Sequence, residues 1–290
     1  TDQVVALTTY QASTLTTATL AALSTSQIAA IETADIRALT TTQLASVATS
    51  TVAALTTDQI VALTTSQLAG LSTNGVRALS TDQLVSLTTS QVSGLTTRTI
   101  QALSTTAVAA LTTDQIQSVS TAGLAALTTN QVKALSTDAV VALTSSQVSN
   151  LTTATLAALT TAQVAAIETS DIQALKTSQL AGIATSTVAA LTTDQVVALT
   201  SYQVANLTTA TIKALSTDQV AAIETADIQA LTTAQLAGIA TSTVAALTTD
   251  QVVALTTYQA STLTTATLAA LSTSQIAAIE TADIRALTTT

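Results

Sequence analysis

This chain has no cysteine, proline, methionine, tryptophan, phenylalanine or histidine, and only three tyrosines among its 290 residues. The lack of cysteine excludes disulfides and thiol chemistry. Without histidine, the many Ser and Thr hydroxyls have no neighbouring base to activate them, so no enzyme is expected and no small-molecule substrate or cofactor. The near-absence of aromatic rings removes the side chains that supply much of an ordinary core, so any core here must be aliphatic and thin. Basic residues are scarce too: seven Lys and Arg against 16 Asp and Glu leave a net charge of -9. That surface offers little for phosphate binding by counterion release, and nucleic acid is not an expected partner. Long apolar runs are also missing. Hydrophobic residues make up 48% of the chain, yet Thr and Gln interrupt them within every few residues, far short of the roughly 20 that a membrane span needs. No membrane insertion is expected.

What the chain has instead is a period. From Leu7 to Ala286 it consists of 35 consecutive octapeptides, each a variant of LTTxQVxA, with no insertion or deletion. A short period held this long is the signature of a small unit stacked many times. Residues 1–42 and 249–290 are identical, and the seven-octad blocks 167–222 and 223–278 match at 45 positions. Tandem duplication explains both. The expectation is one continuous octapeptide-repeat solenoid over 1–290, sampled from a longer array.

The tolerance of each octad position reads as burial. Position one is always Leu, Ile or Val, and position six is Val, Ile or Leu except at Ala12 and Ala260. These two positions are the predicted core. Position three is Thr except at Ser145 and Ser201, so its hydroxyl is predicted to be structural. Position seven admits Arg37, Arg77, Lys133, Lys213 and Arg285 and must face solvent. Position eight is mostly Ala, and otherwise small or short, which predicts a close approach. Its exceptions, among them Ser46, Gly70, Gly94, Ser118, Asn150, Gly182, Asn206 and Gly238, recur mostly three or four octads apart. That spacing is either a distinct side of a coil near three and a half octads long or an accident copied by duplication.

Apolar spacings of five and then three do not fit the alternation of a strand, which counts against the alternative of a β-solenoid. Tight corners are also hard to build with six Gly and no Pro. A helix fits better. In Leu55 to Ala62, Thr56 or Thr57 can cap, Asp58 lies where the dipole favours an acid, and Gln59 is a capping-box partner of Thr56. Leu55 and Ile60 then have the spacing of a hydrophobic staple. The predicted fold is all-α: a solenoid of short helices, one per octad, each stopped by the next Thr-Thr pair.

Few residues invite chemistry. The variant IETxDI pairs Glu32 with Asp35, Glu168 with Asp171, Glu224 with Asp227 and Glu280 with Asp283. Two nearby carboxylates are weak candidates for calcium, although acids at a helix start are explained by the dipole alone. Tyr10, Tyr202 and Tyr258 are candidates for lateral contacts between chains. Asn150 and Asn206 begin Asn-Leu-Thr acceptor patterns for N-glycosylation, which a Thr-rich chain produces by chance.

Long arrays of LTTxQVxAL, rich in Ala, Thr, Ser and Gln, resemble the repetitive regions of very large bacterial surface and secreted proteins, including adhesin-like ones. The resemblance implies an extracellular or cell-surface setting and a structural role, and carries no site residue with it. Together with the uniform octads it points to a structural protein whose partner is itself, forming an extended filament or surface fibre by stacking and lateral assembly. The passive stalk of an adhesin is the alternative. Ice binding through Thr arrays is remote, because helix capping already accounts for the Thr.

Overall fold

The computed structural model describes residues 2–287, and these residues contain 36 short helices and no strand. The all-α solenoid of short helices, one per octad, is what the structure shows. The helices divide between two compact units, one ending at Leu151 and the other beginning at Thr152. Both are built in the same way.

The octad Leu55 to Ala62 shows how eight residues make one element. Thr56, in extended conformation, is the N-cap; its hydroxyl accepts from the Gln59 N–H at 3.2 Å, and Gln59 Oε1 accepts from the Thr56 N–H at 2.8 Å. The helix Thr57–Ala62 follows. It ends where Leu63 turns extended again, with the Leu63 N–H bonded to the Ile60 carbonyl at 3.2 Å. Positions one and two are thus two extended residues joining one helix to the next. Among the described residues none has a positive φ, so these corners need neither Gly nor Pro.

The sequence leaves the cap open between positions two and three. The structure assigns it to position two, and position three is the first helical residue. This is why position two varies among hydroxyl residues and a few exceptions: Ala48, Glu32 and Lys176 are N-caps that form no side-chain cap bond.

Within each unit a helix packs against the one three octads later: Thr33–Ala38 on Thr57–Ala62, for example, and Ser201–Ala205 on Thr225–Ala230. Longer-range bonds reach back 28 and 31 residues, which places one coil between three and four octads. The eighth-position spacing agrees with this length. Positions one and six point inward as predicted; Ile60 and Leu84 are wholly buried. With no ring to fill the axis, aliphatic side chains between Leu156 and Ile223, together with Thr187 and Thr211, leave a cavity of 30 Å³ whose lining surface is apolar. A space so lined stays dry.

Candidate functional site

The chemistry of this chain is concentrated at position five. The spacing identifies Gln59 as a capping-box partner and misses its other half. Its Nε2 donates to the main-chain carbonyls of Ile28 and Ile31, each at 2.8 Å, across the seam to the preceding coil. Gln91 does the same to Ile60 and Leu63, Gln195 to Val164 and Ile167, and Gln251 to Val220 and Ile223. One buried amide therefore caps its own helix with its oxygen and satisfies two carbonyls at the end of an earlier helix with its nitrogen. The first of each pair, such as Ile28, already accepts from the N–H three residues on, here Ile31 at 3.2 Å, and gains a second donor; the other, such as Ile31, lies just past the helix end. A sequence signal for this role exists. A capping box accepts Glu as readily as Gln, yet no octad has Glu at position five. A carboxylate has no N–H to give the preceding coil.

Position eight explains position three. A Cβ on Gly94 would lie 2.9 Å from Cβ and Cγ2 of Thr65, 29 residues earlier, and one on Gly70 would lie 3.3 Å from Cβ of Thr41. The predicted close approach is thus the contact of a third-position Thr with the eighth position of the next coil. What meets the next coil there is the Thr side chain's Cβ and methyl, whereas the helix-capping hydroxyl belongs to position two.

The four IETxDI octads place an acid at position five, which holds Gln in 19 of the 35 octads. Asp35, Asp171, Asp227 and Asp283 are buried, while Glu32, Glu168, Glu224 and Glu280 are N-caps without a side-chain cap bond. Ser201 Oγ donates to Asp227 Oδ1 at 2.6 Å. Ser145 and Ser201, the two departures from Thr at position three, both stand 26 residues before an aspartate, Asp171 and Asp227. The Oδ2 atoms of Asp35 and Asp227 are buried with no hydrogen-bond partner among the described residues. Burial raises the Asp35 carboxyl above its ordinary range, and Glu32 adds to the rise. Burial likewise raises Asp227; the Ser201 hydrogen bond opposes this and Glu224 reinforces it.

As calcium ligands these pairs bring together two carboxylates each. No group of three or more Asp, Glu, His or Cys fit to hold a metal occurs among the described residues, whereas calcium takes six to eight oxygens. Glu168 and Asp194, from successive coils, line a shallow open groove with Thr169 and Thr192. The three lateral-contact candidates, Tyr10, Tyr202 and Tyr258, are exposed at 77%, 72% and 73%, so their rings contribute little to the fold. Asn150 and Asn206 turn their Nδ2 onto the Ser146 and Tyr202 carbonyls, each at 2.8 Å, closing their own helices.

The ALTTAQ repeat matches the chain over residues 28–65, 62–97, 120–153, 164–201 and 220–257, together more than half of its length. The chain belongs to the ALTTAQ repeat family. The hexapeptide itself stands at 158–163 and 230–235, running from the small eighth position of one octad to the clamping Gln of the next. Three ALTTAQ stretches, beginning at Ile28, Val164 and Val220, open on the carbonyl residue that accepts from a Gln 31 residues later and include that Gln. The family's repeat therefore spans rather more than one clamped coil. No curated protein matches this ALTTAQ repeat chain in sequence.

Proposed function

We propose that this tandem-repeat protein is a structural element of an extended fibre, outside the cell or at its surface, that lengthens by stacking coils and thickens by lateral association of copies, and that it is not an enzyme. The observation that carries this reading is the recurrence of one Gln clamp, with the same offsets, from coil to coil in both units. The clamp joins a side chain to main-chain carbonyls, so stacking makes no demand on the exposed positions four and seven. Those positions are free to vary and to face other chains. A fibre needs units that add without limit, whereas a binding or catalytic site needs convergent polar groups in one place. The resemblance to repetitive surface and secreted proteins supports the setting.

Electron microscopy of the purified chain tests the proposal. Thin rods that also pair side by side are the expected result. Compact particles would remove the fibre reading, and rods that stay single under all salt conditions would remove its lateral half.

A further inference from the structure

Resting on that reading, we infer that lateral association is electrostatic: a column of basic side chains on the unit ending at Leu151 docks onto a column of acidic side chains on a second copy. Both columns follow from which octads stack. The helices of Asp58 and Asp82, Thr57–Ala62 and Thr81–Val85, pack directly on one another. Gln115 then clamps the Asp114 helix, Thr113–Ser118, to the carbonyls of Leu84 and Leu87. The Asp138 helix, Thr137–Val141, packs on that one in turn. All four aspartates are exposed at position four, one on each successive coil.

A second column carries the opposite sign. The helices of Arg77 and Arg98, Thr73–Arg77 and Thr97–Ala102, pack together, and Arg98 Nε leans on Thr73 Oγ1 at 3.4 Å. Gln131 clamps the Lys133 helix, Thr129–Ala134, to the carbonyls of Ile100 and Leu103 in and just after the Arg98 helix. Arg77, Arg98 and Lys133 are all exposed. The Arg77 and Lys133 octads come two after those of Asp58 and Asp114, out of the three to four that make a coil, so the basic column faces away from the acidic one.

The argument for a second copy as the occupant is complementarity of charge and of spacing. Each column presents about one charge per coil, and because both are set by the same coil, they match along their length without distortion of either chain. Opposite faces of opposite sign also let each copy take a neighbour on both sides, a head-to-tail contact that does not close. Single exposed ion pairs are weak, so only a ladder of them gives useful affinity and a single register.

Sedimentation of the intact 290-residue chain tests this. Association is expected at about 0.01 M salt, where charges act over roughly 30 Å, and should weaken at least about tenfold toward 1 M, where they act over about 3 Å. Position seven, which carries Arg77 and Lys133, already holds Gln at Gln101 and Gln117; replacing Arg77, Arg98 and Lys133 together by Gln should abolish the association. Replacing them by Lys, Lys and Arg should preserve it. The decisive variant is Asp58→Asn, Asp82→Asn and Asp114→Asn. It takes the net charge from -9 to -6, a change that favours non-specific association, yet the columns require that association be lost. Circular dichroism confirms that each variant keeps its helices. Neutralised variants that associate as well as the parent chain would overturn the columns while leaving the fibre reading intact. A parent chain that stays single at low salt would overturn the columns and the lateral half of the fibre reading, leaving the stacked rod.

Discussion

At the scale of single residues, one position of the octad joins local and long-range structure, and the exceptions there are the most informative. Gln at position five is acceptor to its own cap and donor to the preceding coil. Asp227 instead accepts from Ser201 Oγ, 26 residues earlier, has no N–H to donate, and its Oδ2 is buried without a hydrogen-bond partner among the described residues. Its carboxyl is raised, so the folded state holds a proton over a range where the unfolded chain has released it. Stability from this group is then fullest below the ordinary value of 3.8 and is lost as pH rises through the raised one. Asp227→Gln should therefore stabilise the chain by about 1 kcal/mol at neutral pH, on the scale of one net hydrogen bond and relief of a buried charge. The gain should shrink toward pH 4. Denaturant melts at both pH values measure it, and an equal gain at each would exclude titration as the cause.

At the scale of elements, helices of four to six residues are far below the roughly 12–15 at which isolated helices become marginal in water. Caps and staples define where each begins, and packing against the helix three octads on keeps it formed. The clamp is the polar part of that packing. Gln91→Ala would leave the Thr88 N–H and the Ile60 and Leu63 carbonyls without this partner. Its expected cost is roughly 1–3 kcal/mol. The neighbouring exposed Ser90→Ala should change stability by less than about 0.5 kcal/mol. Chemical denaturation of the two variants separates the clamp from generic loss of side chain.

At the scale of the molecule, each unit is a stack in which every coil touches only its neighbours, so stability should grow with coil number rather than reside in one central core. A peptide of about 28 residues, one coil, is expected to be disordered by circular dichroism, since none of its clamps has an earlier coil to reach. One of about 112 residues should be helical and melt cooperatively. Helix in the single coil would show that caps alone suffice. The thinness of the stack has its own consequence, the dry apolar cavity between Leu156 and Ile223, which a chain with no Phe, Trp or Met has no large side chain to fill.

Much of this was legible in the octad. Leu55 and Ile60 as staple and core, Thr56 with Gln59 as a capping box and the small eighth position all follow from interactions within eight residues, and short-range physics depends only on local order. The destination of Gln59 Nε2 does not. Ile28 and Ile31 lie 31 and 28 residues away, a distance set by how far two extended residues rotate each helix against the last, and small differences in those angles would choose other partners. The same rotation selects which octads share a side. The charges of Asp58, Arg77, Asp82 and Arg98 are plain in the sequence, but their sorting into an acidic and a basic column exists only once the coil closes between three and four octads.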